Sequence, residues 1–169
     1  MSQFVKREKF IPYNLPNITD LEINEVVDTL KSGWVAKGPR TNEFEKEFAA
    51  YLGAKHAIAM NSCTAALHVA LLAKDIGPGD EVITTPMTFA STANTIIHTG
   101  ATPVFADVDF KTACIDPDEI EKKITPKTKA IVPVHYSGQV CDLDRIYEIA
   151  DRHGLFVSED AAHALWSRY

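Results

Sequence analysis

Four short polar clusters in this 169-residue chain hold the residue types from which a reactive site could be built: Asn61-Ser62-Cys63-Thr64, Pro86 to Phe89, His135-Tyr136 and Glu159 to His163. In the first, small polar residues pass straight into the apolar run AALHVALLA, so the unbonded N–H groups of a first helical turn can receive an anion such as a phosphate. A plain helix cap by Ser62 or Thr64 explains the same residues. Phe89, at a loop-to-helix junction in TTPMTFAST, either closes a core or covers a planar ligand. Asp160 ends the apolar stretch LFVSE, where a carboxylate needs a cation, a ligand or a helix N-terminus such as that of AAHAL. His163, three residues on, shares a site with Asp160 if a helical turn begins there. His135-Tyr136 ends an apolar run and has no assigned task.

Other chemistries lack their residues. Neither GxGxxG nor GxxxxGK[ST] occurs, which argues against dinucleotide and P-loop nucleotide binding. Cys63, Cys114 and Cys141 form no CxxC pair, so reduced thiols are expected and no metal site. The 17 basic residues against 23 acidic ones leave a formal charge of −6, which argues against nucleic acid as a partner. No apolar run is long enough for a membrane span, and MSQFVKREKF has no apolar leader, so a cytoplasmic protein without membrane attachment is expected.

The elements that must position these clusters follow from periodicity. Ile23, Val26, Val27 and Leu30 recur at helical spacing behind a Thr19/Glu22 capping box, with Gly33 as the stop. Phe44, Phe48 and Leu52 mark a second amphipathic helix ending at Gly53. From residue 55 onward, apolar runs at 56–60, 81–85, 102–106, 130–134 and 155–158 alternate with helical stretches near 64–74, 89–99, 117–124 and 142–153. Centres 22 to 27 residues apart are too far for hairpins and suit βα units, which predicts a parallel sheet with right-handed crossovers. Asp116, Pro117 and Glu119 read as cap, first-turn proline and capping-box partner, and Asp142 as the cap of a helix that Gly154 ends. The fold class is α/β with an open, parallel-rich sheet, whose strand ends are where ligands collect.

Taken in order, SGWVAKGP, HAIAMNSCTAALHVAL, GPGDEVITTPMTFASTAN, GATPVFADVD, TKAIVPVHYSG and SEDAAHAL resemble the DegT/DnrJ/EryC1/StrS family of sugar-nucleotide aminotransferases, over residues from about 12 to 166. The resemblance implies part of the large domain of the fold-type I pyridoxal 5′-phosphate (PLP) transferases. It implies that Cys63 and Thr64 bind the cofactor phosphate, that Phe89 stacks on the pyridine ring, that Asp160 meets the ring nitrogen, and that His163 reaches the phenolic oxygen. A carboxylate there keeps the ring protonated and electron-withdrawing.

By the same resemblance, residues 1–54 form an arm and two helices, and 55–169 an incomplete PLP-binding large domain. The family's Schiff-base lysine, last strands and C-terminal domain match nothing in these residues, so the chain by itself is expected to be inactive, and strand 56–60 to lack its neighbour. The implied substrates are a keto nucleotide-sugar and an amino-acid donor, usually glutamate, for glycan sugar synthesis. The implied full-length assembly is a homodimer. A PLP-dependent sugar dehydratase of the same family, or a non-catalytic fragment acting by pairing with another chain, are the alternatives.

Overall fold

The computed structural model describes residues 9, 10, 12 and 15–169; the start of the expected amino-terminal arm lies outside them. The chain separates into two compact units, Met1–Ala59 and Met60–Tyr169.

The first unit holds helices α1 (Asp20–Ser32) and α2 (Pro39–Leu52). The expected capping box forms, with Thr19 and Glu22 exchanging side-chain-to-backbone bonds and Gly33 closing α1 in the left-handed conformation at φ 77°. Pro39 opens α2 and Gly53 ends it. Neither helix buries a residue.

The second unit is built on four strands, β1 (Glu81–Thr84), β2 (Thr102–Phe105), β3 (Thr128–Val132) and β4 (Phe156–Val157), in the order β2-β1-β3-β4, all parallel. Helices α3 (Cys63–Leu72), α4 (Ala90–Thr99), α5 (Pro117–Lys123) and α6 (Leu143–His153) alternate with them. Side chains along β1 and β3 alternate between two cores, as the two-residue period of a strand requires. Val82, Ala130 and Val132 face Leu67, Leu71 and Ile96 of α3 and α4, while Ile83 and Ile131 face Ile120, Ile146 and Ile149 of α5 and α6.

That division of helices follows from the strand order. The chain steps from β1 to β2 in one direction and then from β2 over β1 to β3 and β4 in the other. Crossovers of one hand therefore place α4 on one face and α5 and α6 on the opposite face. The reversal lies between β1 and β3, which makes their carboxyl ends the natural ligand crevice.

Three sequence expectations need correction. The run 56–60 forms no strand: a strand exists only through its ladder, none forms on this run among the described residues, and the Ala59 N–H instead donates to the Glu45 carboxylate at 2.9 Å. Glu119 does not complete a capping box, because its carboxylate takes Lys122 at 2.6 Å, while Asp116 alone caps α5 through the Asp118 N–H. The residues after Asp160 form tight turns rather than a helix.

Candidate functional site

Ser62, in extended backbone at φ −164°, accepts the Ala65 N–H through its hydroxyl and so is the cap of α3. This resolves the choice between Ser62 and Thr64. The N–H groups of Cys63 and Thr64 in the first turn have no partner among the described residues, and the Thr64 hydroxyl is not spent on the cap. An apolar helix thus begins with unbonded donors beside the sheet's carboxyl end.

The β1–α4 connection is rich in threonine. The Thr84 hydroxyl donates to the Val132 carbonyl at 2.8 Å, tying β1 to β3, and the Thr85 hydroxyl accepts the Met87 N–H to turn the chain. Phe89 then stands at the N-cap of α4 without making a cap bond, and it is 78% exposed. Among the described residues it closes no core, and the buried side chains of α4 are Thr92, Thr95, Ile96 and Thr99.

Asp160 is 5% exposed. Its backbone is pinned to the end of β3, with its N–H donating to the Pro133 carbonyl at 2.9 Å and its carbonyl accepting the His135 N–H at 3.1 Å. The Thr92 hydroxyl donates to Oδ2 at 2.8 Å, and Oδ1 accepts the Ala162 N–H at 3.2 Å and faces the Cys63 thiol at 3.8 Å. No cationic side chain among the described residues pairs with it. The helix-cap alternative fails here, because the Ala162 bond belongs to a turn. Burial, and then the negative charge of Asp160, push the Cys63 thiol up, so the sulfur stays protonated.

Cys63, Phe89 and Asp160 are thus linked through short contacts: Cys63 to Asp160, Asp160 to Thr92, and the Thr92 N–H to the Phe89 carbonyl at 3.1 Å. Thr64 is the next residue on the same turn. His163 is exposed in the turn that follows Asp160, where the Ala164 N–H donates to the Ala161 carbonyl, and its ring has no hydrogen-bond partner among the described residues.

Thr88, His135 and Glu159 lie in the polar clusters read from the sequence but had no task there, and Thr92 was not singled out; the structure pairs Thr88 with Thr92 and His135 with Glu159. Thr88 and Thr92 stand behind Asp160, their hydroxyls 2.7 Å apart. His135, 3% exposed, holds the Glu159 carboxylate at 2.8 Å, and Glu159 also accepts the Tyr147 hydroxyl at 2.7 Å. The backbone N–H of Cys141 donates to His135 Nδ1, so Nε2 carries the proton toward Glu159. The hydrogen bond from His135 holds the Glu159 carboxyl below the usual carboxylate range against the effect of burial. The available signal was the density of threonine in TTPMTFAST, since buried hydroxyls require partners.

Residues 16–169 match the profile of the DegT/DnrJ/EryC1/StrS aminotransferase family. The chain is 65% identical over 164 residues to the spore coat polysaccharide biosynthesis protein SpsC of Bacillus subtilis, covering 97% of this chain and 42% of that relative. Among solved structures, an aminotransferase from Psychrobacter cryohalolentis superposes with a TM-score of 0.87 at 46% identity, over 92% of this chain and 40% of that one. NtdA of Bacillus subtilis with bound cofactor PMP superposes with a TM-score of 0.81 at 38% identity, over 92% and 38%. The four-stranded parallel sheet and its helices are accordingly part of a fold-type I PLP-dependent transferase fold. The chain spans about two-fifths of the length of these relatives. With this match over nearly its whole length, the chain belongs to the DegT/DnrJ/EryC1/StrS aminotransferase family.

Proposed function

We propose that these residues form the cofactor-holding part of a PLP-dependent aminotransferase that transfers an amino group from glutamate to a keto nucleotide-sugar for polysaccharide synthesis. The observation that carries the reading is the Asp160 carboxylate, 5% exposed at the carboxyl end of the sheet, donor-bonded but with no cation among the described residues. A buried carboxylate of this kind needs a positive partner, and a protonated pyridine nitrogen supplies one.

The remaining residues fit the same group. The Cys63 and Thr64 N–H groups and the Thr64 hydroxyl would hold the phosphate, since an anion is stabilised at a helix N-terminus. The Phe89 ring, exposed at the neighbouring helix start, would cover the pyridine face, and His163 would reach the phenolic oxygen. When bound, the cofactor supplies an electron sink for the carbanion chemistry of transamination. Asp160 keeps the ring nitrogen protonated, and the thiol of Cys63, being neutral, adds no competing charge. Family membership and the name of the Bacillus subtilis relative support an amino sugar destined for a polysaccharide. In the family pattern the cofactor-anchoring lysine matches none of these residues, so the 169 residues alone are expected to hold the cofactor without turnover.

The test uses the full-length protein that carries this chain. With 15N-glutamate and a panel of keto nucleotide-sugars, label should appear in one sugar nucleotide, and PLP should shield Cys63 from alkylation more than pyridoxal does. Absence of both label transfer and phosphate-dependent shielding would remove the reading.

A further inference from the structure

The two oxygens of Asp160 are held differently, and the difference assigns a task to residues in the α4 start. Oδ2 receives the Thr92 hydroxyl at 2.8 Å; Oδ1 receives only the longer Ala162 N–H bond at 3.2 Å and a thiol contact at 3.8 Å. An ionised carboxylate only accepts, so the single hydroxyl proton of Thr92 points at Oδ2. Thr92 is fully buried, and the hydroxyl left to supply its oxygen is that of Thr88, 2.7 Å away. The direction of the chain is therefore fixed: Thr88 donates to Thr92, and Thr92 donates to Asp160.

We infer that Thr92, backed by Thr88, is a positioning residue that tethers Oδ2 of Asp160 and so turns Oδ1 toward the cofactor's ring nitrogen. The backbone of Asp160 is already clamped to the end of β3 on both its N–H and its carbonyl. Side-chain rotation is the freedom that remains, and Thr92 removes it. The thiol of Cys63 makes the weakest of the three contacts and is the one a ring N–H can displace from Oδ1. Thr95 locks the helix start in turn, its hydroxyl donating to the Thr92 carbonyl at 3.0 Å.

The inference rests on the PLP reading above, and its test separates the two. The full-length protein is titrated with 15N-labelled pyridoxine 5′-phosphate, which has the ring and phosphate but no aldehyde, so binding needs no lysine. The ring-nitrogen shift reports protonation, and dialysis reports affinity. Parent protein should bind the ring in its protonated form, and Asp160→Asn should lose that form. Thr92→Val, close in volume but without the donor, should weaken binding about tenfold and lower the pH at which the bound nitrogen loses its proton. Thr88→Val should weaken binding about threefold, and Thr92→Ser should stay within about twofold of the parent.

If Thr92→Val and Thr88→Val bind and titrate like the parent while Asp160→Asn does not, the threonines only fill space and the inference is overturned, with the PLP reading intact. If Thr92→Ser is as impaired as Thr92→Val, the hydroxyl is not the cause and the inference also fails. If Asp160→Asn changes neither affinity nor the nitrogen shift, the PLP reading itself falls, and the role of Thr92 with it.

Discussion

Replacing Glu159 by alanine removes the acceptor shared by His135 and Tyr147, and the two donors left behind differ in cost. His135 is 3% exposed and its Nδ1 is already committed to the Cys141 N–H, so its Nε2–H has no other acceptor among the described residues. A buried donor stranded in this way costs about 1–3 kcal/mol. Tyr147 is 43% exposed, so its hydroxyl exchanges Glu159 for water at about 0–0.5 kcal/mol. The expected sum is about 2 kcal/mol, a fall of roughly 4–8 °C in Tm for a chain of this size. Tyr147→Phe, which removes only the outer bond, should cost well under half as much.

The same cluster sets a pH signature. The Glu159 carboxyl lies below its ordinary 4.5 in the folded state, so its contribution is whole above that value and is lost as pH falls through the lower folded pKa. Burial, followed by the Glu159 hydrogen bond, pushes the Tyr147 hydroxyl up from 10.0 to about 12, so its contribution is whole below pH 10 and is lost as pH rises toward 12. Thermal unfolding followed by circular dichroism from pH 3 to 11 checks both limbs. Glu159→Ala should flatten the acid limb and soften the alkaline one. A Glu159→Ala protein no less stable than Tyr147→Phe at pH 7, with an unchanged acid limb, would refute the reasoning.

Ile131→Ala should destabilise by about 3 kcal/mol in chemical denaturation, because Ile131 is fully buried in the central strand against α5 and α6; a loss under 1 kcal/mol would mean this core is loose. Of the three cysteines, only exposed Cys63 should react with iodoacetamide in the native state, and more slowly than a free thiol, since burial and Asp160 both disfavour its thiolate. Cys114 and Cys141 are buried, the latter pushed up to about 12 by burial, and mass spectrometry should show them modified only on unfolding. Exposed Val69, Leu72 and Ile97 on α3 and α4, together with the open edges β2 and β4, should make the 169-residue chain self-associate; a sedimentation coefficient independent of concentration would contradict this.

Sequence alone determined what local chemistry controls. The Thr19/Glu22 box, the Pro117 helix start, and the Gly33, Gly53 and Gly154 stops act within a few residues of themselves, and the helix ends appear where they place them. The spacing of the apolar runs likewise implied parallel strands, because helical crossovers need that length. Phe89 and Asp160 could be picked out because they follow apolar runs that become strands, where a parallel sheet exposes its carboxyl ends, whereas Cys63 stood out through the small polar residues that lead into an apolar helix.

What required the folded chain was every relation between distant residues. The order β2-β1-β3-β4 depends on which strands pair, and no short segment encodes that. Residues 56–60 are apolar enough for a strand, yet a ladder is a property of two segments, and none forms on them among the described residues. Thr92 and Asp160 are 68 positions apart, and His135 and Glu159 are 24, so their bonds exist only because crossovers bring the ends of β1, β3 and β4 together. The fold also shows, as no short segment could, that Phe89 is exposed at the start of α4 while Thr92, Thr95 and Ile96 are buried beneath it.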